Sequence, residues 1–449
     1  MYKPYIIPVT KASPDVKVAQ PKISKLMVFI LSIIAKPYLL SLFGTPKIIL
    51  HNDEILFDVF KRTLAKKSRC IIAFRHPDGR EPQLLTWFFL FKIKSLAFKS
   101  KIRFASKPHA IFVYGYEVAR WGGWIARFIM PKLGAIPIHH TKIDSKGMAR
   151  IYSSIIDGNY PLVLAPEGQV SYSTDTVPRL ETGIIRIGFQ AASQLAEKEK
   201  DCPLEILPLS VHFRYGKRAI KKMEKLIKKI EVLCGIKNNK KYSFKDIISL
   251  CMNKILEVNE ERYKLKGDTL SYENRIENVV NTALETSEIM LGIKAEGDFF
   301  ARLYKVRHLC WDKIFIPGIE NLDRIEKIKR SMMDLKAGEA WYIARHQELA
   351  DFGWYFCKPL PTDETVLHLK VEFVQNLWDF ANRTMGGAIS KRISIPPKKI
   401  IIKPAPLIDL SSRLCQYKES KKDTVESTTA DLEKAFLNCI YEVNKEVSN

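Results

Sequence analysis

The chain has 449 residues, of which 46% are hydrophobic and 10% aromatic. This composition excludes a disordered chain and suffices for one large domain or two ordinary ones. Lys and Arg total 72 against 49 Asp and Glu, a net charge of +23, and such an excess calls for an anionic partner: nucleic acid, an acidic membrane surface or a phosphorylated substrate.

Eight cysteines stand singly, with no Cys-x-x-Cys pair. Zinc and thiol-redox motifs are therefore unsupported, and neither metal nor cofactor is expected. No signal peptide is recognisable, so the thiols read as free in a reducing compartment.

Residues 1–23 are polar and dotted with Pro, and read as a loosely held arm. Residues 26–43 are the most apolar stretch near the start. Lys36-Pro37 interrupts them, leaving two runs of about half the length a spanning helix needs. The expectation is an interfacial helical hairpin or a buried core helix, not a single membrane span.

Cys70-Ile71-Ile72-Ala73-Phe74 reads as a buried strand. Asp78-Gly79 signals a turn, and Pro82 fits the first position of a helix with Glu81 as its cap. Residues 84–91 are almost wholly apolar, so this helix should be buried or in contact with lipid. His76 then stands at a strand mouth and Glu81 at a helix start. Five residues apart, the two cannot meet on one straight helix; across a turn they can. A carboxylate that accepts from one imidazole nitrogen fixes the tautomer and leaves the other nitrogen as a base. Asp78 is a rival partner, and a histidine beside acidic residues is more often a surface or core residue than a catalyst.

Residues 92–107 carry several basic residues between apolar ones, and 111–114 reads as a short strand or buried connector. Trp121-Gly122-Gly123-Trp124 and Phe128-Ile129-Met130 suggest an apolar helical stretch, either ordinary core or the wall of an acyl site. Residues 133–140 and 160–165 are strand-like, the second ending at Pro166-Glu167-Gly168. Ile184, Ile187, Gly188, Ala191, Ala192 and Leu195 recur at helical spacing, and 204–213 reads as a fourth strand. Strands alternating with helical patterns indicate an α/β layered domain.

From Lys217 the pattern turns helical. Ile220, Met223, Leu226, Ile227 and Ile230 form an apolar face opposite a face dominated by lysine. Ser243 with Asp246 reads as a capping box, and 274–291 and 323–335 also look helical. Strand signals return at 366–373. Residues 393–410, rich in Pro and Ile, read as a turn and a returning strand. Thr428 with Asp431 suggests a capped final helix.

Four segments then line up. Glu81 follows His76 after four residues. Gly134-Ala135-Ile136-Pro137-Ile138-His139-His140 is a Gly-x-Ile segment. Pro166-Glu167-Gly168-Gln169-Val170-Ser171 comes third, and Ile206-Leu207-Pro208-Leu209 fourth. In this order the chain resembles the glycerophospholipid O-acyltransferase family, which includes the lysophosphatidate acyltransferases. Its members carry His, four residues and Asp; a Gly-x-Ile segment ending in Arg; Pro-Glu-Gly-Thr-Arg-Ser; and an apolar strand centred on Pro. Their closing pattern resembles Pro404-Ala405-Pro406-Leu407-Ile408-Asp409-Leu410. The resemblance covers residues 60–216 and, more weakly, 393–446.

The resemblance implies a layered α/β sheet with flanking helices plus a largely helical insertion. Residues 1–45 would be an N-terminal arm and apolar membrane-interface helices, 46–216 the acyltransferase core, 217–392 the insertion, and 393–449 the closing strand and C-terminal helix. It implies transfer of a fatty acyl group from a thioester, acyl-CoA or acyl-carrier protein, to a hydroxyl of a glycerolipid such as lysophosphatidate. His76 would take the hydroxyl proton and Glu81 would orient His76. Glu167, Gly168, Gln169, His140, Arg179 and Arg186 would contact the acceptor. The implied partners are a lipid acceptor, an acyl thioester donor and an anionic membrane surface on the cytoplasmic face, with no nucleic acid. The chain departs from the family at Glu81, one methylene longer than Asp, and at His140 and Val170, where the family has its phosphate-binding arginines. Arg75, Arg80, Arg179 or Arg186 would have to compensate. Otherwise the acceptor is a non-phosphorylated lipid or glycoside, or the chain is an inactive basic membrane-binding protein.

Overall fold

The computed structural model describes residues 9–139, 144–198, 202–237, 242–267, 270–387 and 392–448. It divides into two compact units. The α/β unit comprises Val18–Tyr215 and Pro396–Asn449, and the helical unit comprises Met1–Lys17 and Gly216–Ile395. In chain order the strands are β1 (Ser13–Pro14), β2 (Lys47–Leu50), β3 (Arg69–Phe74), β4 (Ile111–Gly115), β5 (Ile136–Ile138), β6 (Leu162–Leu164), β7 (Leu204–Arg214), β8 (Phe315–Ile316), β9 (Lys399–Pro404) and β10 (Ile408–Asp409).

The α/β unit is built on one mixed sheet flanked by helices, in the strand order β2-β9-β7-β3-β6-β4-β5, with β10 beside β7. β3 runs parallel to both β6 and β7, and β4 runs parallel to β5 and β6. β9 is antiparallel to β7 and parallel to β2. Strand alternation divides β3 between two cores, and both are closed by helices. Cys70, Ile72 and Phe74 join one core with residues of α1 (Lys25–Phe43), α2 (Asp53–Leu64) and α3 (Glu81–Trp87). α3 continues through a π turn, Phe88–Lys92, into α4 (Ile93–Lys99), which packs in the same core. Ile71 and Ala73 face the opposite core. Between β4 and β5 lie α5 (Glu117–Trp121) and α6 (Gly123–Lys132), and α7 (Ser145–Ile156) and α8 (Gly183–Glu197) close that opposite face. A strand buried on both faces favours apolar residues on both, which is why β3 reads as an apolar run from Cys70 to Phe74; Arg69 at its start is buried but donates to the Ile156 carbonyl.

The helical unit contains α9 (Lys217–Leu233), α10 (Phe244–Tyr263), α11 (Tyr272–Leu291), α12 (Phe299–Ile314), α13 (Lys327–Trp354) and α14 (Leu367–Thr384). α9 buries Met223, Leu226, Ile227 and Ile230 as its periodicity predicts, while Ile220 stays exposed. The Ser243 side chain accepts from the Asp246 backbone N–H at 3.2 Å and opens α10. The α/β unit resumes at Pro396 and ends with α15 (Leu414–Glu419) and α16 (Lys421–Ser448).

Several sequence expectations need correction. Residues 366–373 are not a strand but the start of α14. Their apolar alternation is too short to separate a strand from a helix buried all round, and α14 is buried along most of its length. Its polar groups are paired, as burial demands: Arg383 with Glu348 at 3.0 Å, and Asp379 with Arg392. The arm is held at Ser13–Pro14, which pairs with Phe315–Ile316. α16 begins at Lys421, ahead of the proposed cap, so Thr428 and Asp431 lie inside the helix, where both accept from Arg413, at 3.2 and 2.6 Å. α1 is one unbroken helix through Pro37. Pro37 and Ile33 both lie on its exposed side, where a missing i to i−4 hydrogen bond can be satisfied by water.

Candidate functional site

β3 ends at Phe74, and its alternation sends Arg75 and His76 to opposite faces of the sheet. The His76 ring stands edge-on to Phe74, centroids 5.4 Å apart. The chain then turns through Pro77-Asp78-Gly79, and Gly79 adopts φ +95°, a conformation that L side chains resist. α3 starts at Glu81, whose side chain is fully buried. Its Oε1 accepts from the Asp78 N–H at 2.7 Å and its Oε2 from the Gly79 N–H at 2.9 Å. Oε2 also pairs with His76 Nδ1 at 2.8 Å. With both carboxylate oxygens held as acceptors, the network assigns the proton to Nδ1 and leaves Nε2 as the basic nitrogen.

Asp78, the rival partner, is taken by Arg80, whose Nη2 donates to its Oδ2 at 2.8 Å. Arg80 also donates to the Leu42 carbonyl at 2.6 Å and lies over the Phe43 ring, 4.6 Å from its centroid. The His76 loop is thereby tied to the end of α1.

The loop after β6 is drawn against the first. The Ser171 N–H donates to the His76 carbonyl at 2.9 Å. A Cβ at Gly79 would sit 3.5 Å from Val170. Gly168 has φ +69°, which lets the chain turn directly after the buried Glu167. Glu167 Oε1 accepts from Arg75 Nε at 2.9 Å, with both side chains fully buried. Arg75 spends its other donors on the carbonyls of Thr174, Ser173 and Thr176, at 2.8, 3.1 and 2.6 Å. Glu167 Oε2 is buried with no hydrogen-bond partner among the described residues.

Arg75 and Arg80, offered by the sequence as substitutes for the phosphate-binding arginines, are therefore both engaged within the protein. His140 lies outside the described residues. Gln169 is half-buried on the second loop, while Arg179 and Arg186 are exposed. The segment just before α8 returns to this loop through the Glu181 N–H, which donates to the Pro166 carbonyl at 2.7 Å. The structure thus gathers His76, Glu81, Glu167, Gly168 and Gln169 on two adjoining loops.

Two further groups stand at the same edge: Tyr116, which the sequence reading passed over, and His139, which it quoted within the Gly-x-Ile segment but did not name as a site residue. Tyr116 follows β4 and His139 follows β5, and their rings stack 4.2 Å apart. His76, Glu167, Tyr116 and His139 all follow the carboxyl ends of parallel strands. β6 and β7 lie on opposite sides of β3, a reversal of strand order of the kind that opens a ligand crevice in α/β sheets. Arg75 was missed as a structural residue. The one signal for it was its place directly after a wholly buried strand, where a cation must find a buried acid. Among the described residues, no three His, Cys, Asp or Glu side chains cluster as a metal site requires.

Burial alone would lower the His76 pKa, but the Glu81 hydrogen bond and charge, reinforced by Glu167 and Asp78, raise it above the ordinary 6.5. The raised value fixes two signs. The charged imidazole contributes stability that is fully present below pH 6.5 and is lost as pH rises through the folded-state pKa. Action as a base needs the neutral ring, so any turnover that uses His76 as a base would rise over the same window. Glu81→Gln removes the charge and keeps the burial, and is expected to move the rising limb of kcat/KM to lower pH. An unmoved limb would exclude the His76–Glu81 pair as the titrating group.

No family model, no curated protein and no solved structure matches the chain.

Proposed function

We propose that the chain transfers a fatty acyl group from a thioester donor to a hydroxyl of a membrane lipid, at the two loops after β3 and β6. The observation that carries this reading is the 2.8 Å pair between His76 Nδ1 and the buried Glu81. The ordered blocks of the sequence support it.

In this mechanism His76 Nε2 takes the acceptor proton as the hydroxyl oxygen attacks the thioester carbonyl carbon. Glu81 stabilises the imidazolium. The tetrahedral intermediate collapses, the C–S bond breaks, and the imidazolium returns its proton to the departing thiolate. The unpaired Glu167 Oε2 is suited to accept a hydrogen bond from a second acceptor hydroxyl. No cofactor takes part, and the donor is acyl-CoA or acyl-carrier protein. In this reading the helical unit is an insertion between β7 and β9 of an acyltransferase-like core, and the protein sits peripherally on the cytoplasmic face of a membrane. The direct test incubates the full chain with labelled acyl-CoA or acyl-carrier protein and candidate acceptors in vesicles. Vesicle binding with no transfer from either donor would leave an inactive membrane-binding protein.

One observation favours a non-phosphorylated acceptor. Val170 stands where the family has Arg, and Arg75 and Arg80 are engaged elsewhere. A phosphate without its charge-assisted hydrogen bonds forgoes about 1.5–3 kcal/mol for each. In a competition assay the dephosphorylated lipid or a lipid glycoside is expected to outcompete lysophosphatidate. Val170→Arg should lower the KM for lysophosphatidate about tenfold or more. A wild-type preference for lysophosphatidate that disappears in Arg179→Ala or Arg186→Ala would instead place the phosphate on that arginine.

A further inference from the structure

α1 has a mean hydropathy of 2.1, is long and apolar enough to cross a membrane, and has only 17% of its apolar window buried. Leu26, Phe29, Ile33 and Ile34 are exposed along it. The α5–α6 turn is the second such feature: Trp121 is 68% and Trp124 70% exposed, with Ile125 and Phe128 exposed beside them. They do not form the core that the sequence allowed. The two elements share a junction. The Lys22 and Ser24 N–H groups donate to the carbonyls of Pro131 and Lys132, both at 2.8 Å, and Ile23 packs against Gly134.

The far end of α1 is held as well, by Arg80 at the Leu42 carbonyl and by the buried Phe43. A spanning helix places its ends on opposite sides of the bilayer. α1 has both ends fastened to one folded unit, so it lies along that unit over its length of about 28 Å. We infer that α1 and the α5–α6 turn together form the surface on which the α/β unit docks to an anionic phospholipid bilayer.

Charge and residue type select the bilayer as the occupant. Lys22, Lys25, Arg120, Arg127 and Lys132 accompany the apolar side chains on these segments, against one acidic residue, Glu117, in α5 and α6, and the Lys132 ammonium lies 2.9 Å from the centroid of the Phe128 ring. Residues 92–107 carry six basic residues and no acidic one around the exposed Phe98. That run returns to the same junction through His109, whose Nε2 is 2.8 Å from the Leu133 carbonyl. Apolar side chains accompanied by cationic ones suit anionic headgroups over acyl chains, and exposed tryptophans favour the headgroup level. A second copy is disfavoured, because an isologous interface would press these cationic segments together. This inference deepens the membrane part of the proposed function, but its test reads binding and not turnover, so absence of transfer leaves it standing.

The test uses the full chain with phosphatidylcholine vesicles, with and without phosphatidylglycerol, and with brominated acyl chains as a fluorescence quencher. The protein should co-sediment with the anionic vesicles and its tryptophan emission should be quenched. Trp121→Phe/Trp124→Phe should still bind but lose most of the quenching. Phe29→Glu/Ile33→Glu and Ile125→Glu/Phe128→Glu should each weaken binding about tenfold or more, with circular dichroism unchanged. Wild-type vesicle binding by both folded Glu variants, or undiminished quenching in the double Phe variant, would overturn the inference. So would a lipid-independent dimer dissolved by the same Glu substitutions, or binding of nucleic acid but not of vesicles.

Discussion

His76→Ala is expected to lower kcat/KM for acyl transfer by about 10²–10⁴, the usual share of a general base, while leaving the fold intact. The side chain is one of the few polar groups of this loop that no backbone group depends on. Its one described side-chain hydrogen bond is to Glu81, and Glu81 keeps the Asp78 and Gly79 N–H donors without it. Circular dichroism should therefore be unchanged, and the urea midpoint nearly so at a pH above the folded-state pKa of His76, where the ring is neutral. Glu81 behaves differently. Both its oxygens accept backbone N–H groups, so Glu81→Gln must turn its NH2 toward a donor and leave that donor unpaired. Its defect should exceed what the lost charge alone would produce, with a lower urea midpoint as well as a lower rate. Folded His76→Ala with near-normal turnover would remove the catalytic assignment altogether.

Arg75→Met is expected to destabilise the α/β unit by about 3–5 kcal/mol, the cost of removing one partner from a buried ion pair. Glu167 would remain buried without its cation, and three loop carbonyls would lose their donor. The partner substitution separates charge from packing. Arg75→Met/Glu167→Gln leaves no unpaired charge, so it should recover part of the loss in urea unfolding, a coupling expected only between neighbours. A single-variant cost below about 1 kcal/mol would be typical of an exposed pair and would contradict the burial described. Because Arg75 anchors the loop that carries Glu167 and Gln169, folded Arg75→Lys should raise the KM for the acceptor more than it lowers kcat.

The two predictions rest on features of different legibility. The strand and turn around His76 could be read from residues 70–83, and so could the meeting of His76 with Glu81; the helix starts one residue earlier than read, with Glu81 inside it and Arg80 in the cap position. Every signal there acts within a few residues: an apolar run, Asp-Gly at a turn, Pro after a helix start. The periodic helices α8 and α9 were legible for the same reason. Long-range packing settled the rest. Arg75 meets Glu167 across 92 positions, and no local pattern announces that partner. Residues 366–373 alternate like a strand, yet burial on all sides of α14 holds them in a helix. Pro37 signals a break in sequence, but α1 runs through it with Pro37 and Ile33 on the exposed side, where water can take the missing hydrogen bond. The tryptophans of the α5–α6 turn read in sequence as ordinary core or the wall of an acyl site, yet they are exposed, because hydrophobicity says that a side chain avoids water and not what covers it. Periodicity states which residues share a face; only the assembled sheet and its helices settle which faces find a partner inside the protein and which are left for another surface.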